Sequence, residues 1–170
     1  MGGGITARFA VAYPDRLSAL LMIDSGSAFG LPMSAAMREK TIELAETQGM
    51  AAVADYVITA KPNLRTQAEA FPECQRLRQM FLDPNPTGYA HTIRALLTEA
   101  FPTERLSTLT TPTLVLVGDE APALEAARVT HQQIPGAHRV ILSHAGHLSN
   151  LDAPEAVHTS VLTFLRQIAS

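Results

Sequence analysis

The sequence predicts an α/β protein: three buried parallel strands joined through helices, with a block of helices between the first strand and the other two. Three observations carry this expectation. The chain opens on a helix followed by a short apolar strand, its middle shows helical patterns and no strand-like run, and its last third alternates strand, helix, strand, helix. Alternation of that kind implies parallel strands linked by right-handed crossovers.

Residues 1–26 read as a glycine-rich turn, a short helix, a proline stop and a strand. Gly2 and Gly3 admit tight turns and close backbone approach that a Cβ would block. Ile5, Phe9, Ala12 and Tyr13 recur at helical spacing, and Pro14 stops the helix because the residue before proline avoids the helical region. Leu17 to Ile23 is an almost unbroken apolar run, as expected of a strand covered on both faces, and it ends at Asp24.

Residues 27–105 form a second division, in which helices are expected at Met33–Thr47, Ala51–Thr59, Leu64–Ala70, Glu73–Leu82 and Pro86–Ala100. Gly49, Pro62, Pro72 and the Asp83-Pro84-Asn85-Pro86 turn punctuate them. Met33, Met37, Met50 and Met80, with Phe71 and Phe81, are expected in its core.

Residues 106–170 return to strands. Thr113–Gly118 is a β-branched apolar strand closed by glycine. A helix over Pro122–Gln133 turns Leu124, Ala127 and Ile134 inward, and Arg139–Leu142 is a second short strand. After the loop Ser143–Leu151 a helix starts at Pro154, where a missing N–H costs nothing. Val157, Val161, Phe164, Leu165 and Ile168 make one apolar stripe along it.

Composition narrows the function classes. With 46% apolar and 17% charged residues, the 170-residue chain reads as an ordinary soluble globular protein. It could bury roughly 70% of its unfolded surface. A net charge of −3 without a basic cluster predicts no nucleic-acid partner and no attraction to an anionic membrane. The single cysteine, Cys74, excludes an internal disulfide and fits a reducing, cytoplasmic location. No apolar run approaches the ~20 residues of a membrane span, and no signal peptide is expected. Met1-Gly2-Gly3-Gly4-Ile5-Thr6 satisfies the N-myristoylation pattern, but no polybasic patch follows to supply a second anchoring signal.

Two stretches resemble the α/β-hydrolase superfamily. Met1-Gly2-Gly3-Gly4-Ile5, the helix ending Ala12-Tyr13-Pro14-Asp15-Arg16, and Leu20-Leu21-Met22-Ile23-Asp24 look like the region directly after the nucleophile elbow, G-x-S-x-G. Pro112-Thr113-Leu114-Val115-Leu116-Val117-Gly118 and Ala145-Gly146-His147, with Asp152-Ala153-Pro154-Glu155 following, are similar to the family's C-terminal third. The resemblance implies the C-terminal part of a doubly wound, mostly parallel sheet, with a helical cap that roofs the active site. It implies that His147 is the general base and that Met1 gives a backbone N–H to the oxyanion. The nucleophile serine would be the residue immediately before Met1. The triad acid falls three residues after Gly118, where this chain has Ala121. Asp24, at the end of its strand, is a substitute acid by analogy with members that place the acid there, or a structural residue that bonds nearby loop amides. Asp119 and Glu120 adjoin the vacant acid position, while His91, His131, His138, His144 and His158 lack the histidine's setting and read as surface residues.

By resemblance, the parent protein hydrolyses a small ester- or lactone-like substrate through a covalent acyl-enzyme, without metal or cofactor. The 170-residue chain alone is expected to be inactive. The alternative is a non-catalytic binding or pseudoenzyme domain that pairs with another chain supplying the missing strands. In either case the Leu17–Ile23 strand would present an unpaired edge, open to self-association or complementation. Fold analogy does not choose among esterase, lactonase, epoxide hydrolase, dehalogenase and C–C hydrolase chemistry.

Overall fold

The computed structural model describes residues 1–27, 35–59, 72–95 and 103–169. The helix expected over Leu64–Ala70, the end of the one expected to reach Ala100, and Met33 and Phe71 lie outside the described residues. Contacts divide the chain into two units, Met1–Leu31 with Ala100–Ser170, and Pro32–Glu99.

The first unit holds a sheet of three parallel strands in the order β1 (Leu20–Ile23), β2 (Thr113–Gly118), β3 (His138–Leu142). Leu20 pairs with Thr113 and Ile23 with Leu116; Leu114 pairs with His138 and Gly118 with Leu142. Strand β2 is central and buried along its whole length, which is why its sequence is an unbroken apolar run rather than an alternating one. One face carries α1 (Gly2–Ala12) and α6 (Leu124–Gln133). There Leu20 and Met22 pack with Ala7, Ala10, Leu106, Leu109 and Ile134, and Val115 and Val117 pack with Ala121 and Ala127. The opposite face carries α8 (Pro154–Ala169), whose Val157 and Phe164 join Leu114, Leu116 and Leu142. Between β3 and α8 stands a one-turn helix, α7 (Ser149–Asp152).

Helix α1 departs from the expected pattern. Gly2 to Gly4 are its first turn rather than a turn ahead of it, with Met1 O accepting the N–H of Gly4 at 3.0 Å and of Ile5 at 3.3 Å. Its buried positions are Gly3, Gly4, Ala7 and Ala10, while Ile5 (56%), Phe9 (45%) and Tyr13 (58%) are exposed. The reason is closeness of approach. A Cβ on Gly3 would stand 2.5 Å from Ser25 Oγ and 2.9 Å from Gly26 O, so small residues line the face that meets the end of β1. Gly2, with nothing near it, is under no such constraint.

Two further expectations need correction. The apolar stripe of α8 is buried at Val157 and Phe164 and packed at Val161, but Leu165 and Ile168 on its last turns are exposed and belong to no buried cluster. Strand β1 is shorter than the run Leu17–Ile23. Leu20 and Met22 are covered on one face and Leu21 packs on the other, while Ile23 is exposed at the strand's end.

The second unit contains α2 (Ala35–Thr47), α3 (Met50–Thr59), α4 (Pro72–Leu82) and α5 (Pro86–Ala95). Leu44, Ala45, Met50, Val53 and Val57 form its core, with Tyr56, Phe81 and Tyr89 packed against it. Met80, expected in that core, is exposed. The turn before α5 works as its residues suggest. Asn85 Oδ1 accepts the Gly88 N–H at 3.0 Å as a helix cap, and Pro86 takes the first helical position. Among the described residues, no helix is long and apolar enough to cross a membrane.

Candidate active site

Because the strands are parallel, the chain leaves all three on the same side of the sheet, where parallel α/β folds place their ligands. Asp24 follows β1, Gly118-Asp119-Glu120-Ala121 follows β2, and the loop from Ser143 to Leu148 follows β3. His147 lies in that last loop, partly buried, two residues before α7.

Three carboxylates hold the loop through its backbone. Asp119 Oδ1 accepts the Ala145 N–H at 3.3 Å, Asp152 Oδ2 accepts the Gly146 N–H at 2.8 Å, and Asp24 Oδ2 accepts the Ser149 N–H at 2.7 Å. The other oxygen of Asp24 accepts the Gly118 N–H at 3.1 Å. Asp24 is buried and sits at φ 47°, a left-handed conformation that aspartate tolerates better than most residues. Its carboxylate thereby ties the end of β1 to the end of β2 and to the start of α7. An acid role would have to share oxygens that already accept backbone amides.

The loop also lies directly on β2. A Cβ on Gly118 would run into the Ala145 carbonyl, so only glycine lets the strand end there. The Glu120 N–H donates to the same Ala145 carbonyl at 3.0 Å, and the Asp119 N–H donates to Leu142 O at 2.9 Å.

Ala121, where the sequence resemblance would put the acid, is buried; its methyl group packs with Val115, Val117 and Ala127. Glu120 lies 4.0 Å from Nδ1 of His144, whose side chain is exposed and whose φ is 57°. Met1 precedes α1 and accepts that helix's first hydrogen bonds, and burial lowers the pKa of its α-ammonium below the ordinary value. His91, His138, His144 and His158 are exposed; His131 is partly buried on α6, with its Nδ1 buried and without a hydrogen-bond partner. Among the described residues, no group of three His, Cys, Asp or Glu is placed to hold a metal ion.

Asp152 and helix α7 were not singled out as functional by the sequence. The available signal was an aspartate two residues before Pro154, which marks a turn but does not name the amide it bonds.

Comparison with known proteins fits this geometry. The sequence profile described as the Ndr family matches residues 1–168. The carboxylesterase YbfK of Bacillus subtilis is 26% identical over 175 residues, covering 97% of this chain and 55% of that protein. Among solved structures, an enol-lactonase of Burkholderia xenovorans matches with a TM-score of 0.83 at 27% identity, over 98% of this chain and 63% of its own. A thermophilic esterase of Thermogutta terrifontis matches with a TM-score of 0.79 at 29% identity, over 99% of this chain and 63% of its own. The chain thus spans little more than half of the curated relative and less than two thirds of either solved structure.

Proposed function

We propose a function from one premise: the chain belongs to the Ndr family, within the α/β-hydrolase superfamily. It carries the histidine-bearing part of a hydrolase that acts on a small ester or lactone. The observation that carries this reading is the backbone clamp on residues 145–149, which sets His147 at the carboxyl edge of the sheet. The names of the relatives, a carboxylesterase, an esterase and an enol-lactonase, support the substrate class. His147 takes the proton of a serine hydroxyl and returns it to the leaving group, and the backbone N–H at Met1 stabilises the oxyanion. Asp24 is the acid available in place of Ala121. The helical unit is the cap and selects the substrate, and the protein works in the cytoplasm without metal or cofactor.

No G-x-S-x-G run occurs within the 170 residues, so this chain by itself turns over no ester. The test joins the unmatched part of the Burkholderia xenovorans enol-lactonase ahead of Met1 and follows p-nitrophenyl butyrate hydrolysis. Turnover that disappears with His147→Ala is the expected result. A chimera that melts cooperatively yet shows no His147-dependent turnover overturns the reading.

A second reading, a non-catalytic domain completed by another chain, draws on two observations. The acid position is a buried methyl group, and β1 has one strand neighbour among the described residues. A chain that sediments as a monomer across a wide concentration range counts against it.

A further inference from the structure

We infer that Asp152 is a positioning residue for His147 and supplies part of what the missing acid at Ala121 would supply. The inference rests on the reading of His147 as general base. A triad acid does two things: it orients the imidazole, and its charge stabilises the imidazolium. Ala121 can do neither.

The carboxylates around the loop are not equivalent. Glu120 is exposed and faces His144. Asp119 is exposed and holds Ala145 through the longest of the three loop bonds, 3.3 Å. Asp24 divides its oxygens between Gly118 and Ser149. Asp152 bonds the amide of the residue directly before the histidine, at 2.8 Å, and so closes the loop from Gly146 to Asp152 with His147 inside it. Helix α7 makes this closure possible. Its single turn, with the Asp152 N–H donating to Leu148 O at 3.0 Å, folds the carboxylate back onto Gly146.

The position is costly for stability alone. Asp152 is 5% exposed, and its Oδ1 is buried without a hydrogen-bond partner, as is Ser149 Oγ beside it. A buried carboxylate satisfied on one oxygen is poorer for folding than a neutral residue of the same shape. What the carboxylate adds is a negative charge bonded to the backbone next to His147, and such a charge favours the protonated ring. Asp152 orients the histidine through the backbone and stabilises its charged form through space.

The test uses the full chain and needs no catalysis. Ring resonances of His147, assigned with His147→Gln, are titrated by NMR in the wild type, Asp152→Asn and Asp152→Ala. Asp152→Asn keeps the shape and an acceptor oxygen but removes the charge, and the His147 midpoint is expected to fall by about half a pH unit or more. Asp152→Ala is expected to speed exchange of the Gly146 amide and to broaden the His147 ring signals; Leu165→Ala, exposed on α8, leaves both unchanged. In the wild type, the Asp152 carboxyl carbon should sense the His147 titration, a readout that survives if a variant fails to fold. An unchanged His147 midpoint in a folded Asp152→Asn protein, or a carboxyl carbon blind to His147, overturns the inference. Because none of these readouts requires turnover, a chimera that fails to hydrolyse ester would remove the catalytic assignment of His147 and leave the Asp152 result to be judged by itself.

Discussion

Replacing Gly118 by alanine tests whether the histidine loop really rests on the end of β2. An ideal Cβ there overlaps the Ala145 carbonyl oxygen, lies 2.5 Å from its carbon and 2.7 Å from Gly146 O. All three atoms are backbone, so no rotamer change relieves the contact. Restoring ordinary separation moves the loop by about 1 Å, given carbon contacts near 3.5 Å. That shift stretches the Glu120 N–H to Ala145 O bond and the bonds from Ala145 and Gly146 to Asp119 and Asp152. Overpacking costs about 1–3 kcal/mol and each weakened bond up to about 1 kcal/mol, so the total is about 3–5 kcal/mol. That is a large share of the ~5–15 kcal/mol by which a domain is stable. The comparison variant is Gly136→Ala. Gly136 has φ +70° and nothing within 4 Å, which limits its cost to about 1–2 kcal/mol of left-handed backbone strain. Urea unfolding followed by far-UV circular dichroism should lower the midpoint of Gly118→Ala by about 1.5–2.5 M for a slope of ~2 kcal/mol/M. A Gly118→Ala loss no greater than that of Gly136→Ala would refute the contact.

Four other outcomes are expected. Leu116→Ala, at a fully buried position of the β2–α8 cluster, costs about 2–5 kcal/mol in the same assay, whereas Leu165→Ala on the exposed side of α8 stays within about 0.5 kcal/mol. Ile5→Asp with Phe9→Asp, on the outward face of α1, leaves the unfolding midpoint nearly unchanged and shifts sedimentation toward monomer if that face drives association. Burial raises the Tyr89 phenol pKa above its usual 10.0, against a smaller opposing effect of its hydrogen bond with Thr41. A raised pKa means stability that is complete below the unfolded value and lost as pH climbs through the folded one. The urea midpoint should therefore fall as pH climbs above about 10, and less so in Tyr89→Phe. The Arg94 hydrogen bond lowers the Glu46 pKa, so the pair's contribution is present above the unfolded carboxyl value and fades as pH falls through the folded one. In Arg94→Gln the Glu46 carboxyl carbon should titrate at a higher pH than in the wild type.

What the sequence revealed depended on the range of the interaction. All three strands were legible because β-branched apolar runs between turn residues carry their own signal, and Pro14 and Pro86 set helix boundaries by local sterics. Helix α1 shows why size alone does not name a buried face. Its largest apolar residues, Ile5, Phe9 and Tyr13, mark the outward face, while the face against the sheet is built of Gly3, Ala7 and Ala10. Hydrophobic periodicity weights size, and close packing against Ser25 and Gly26 demands the opposite. The last turns of α8 fail in another way, since periodicity continues past the point where the core ends.

The clamp on the histidine loop was legible only as the structural alternative for Asp24, because its partners are distant in sequence; Asp24 and Ser149 are 125 positions apart. Its logic is nonetheless general. Where parallel strands end and the chain turns into loops and helix starts, several backbone N–H groups lose their ladder partners together, and a buried N–H left unpaired is expensive. An acceptor-only carboxylate satisfies such donors better than any neutral side chain. The carboxyl edge of this sheet therefore favours acids at positions 24, 119 and 152 on backbone grounds. An aspartate at the end of a strand beside a candidate histidine is for that reason weak evidence of a triad. Of the two buried acids among the described residues, Asp24 and Asp152, Asp152 alone keeps an oxygen without a hydrogen-bond partner.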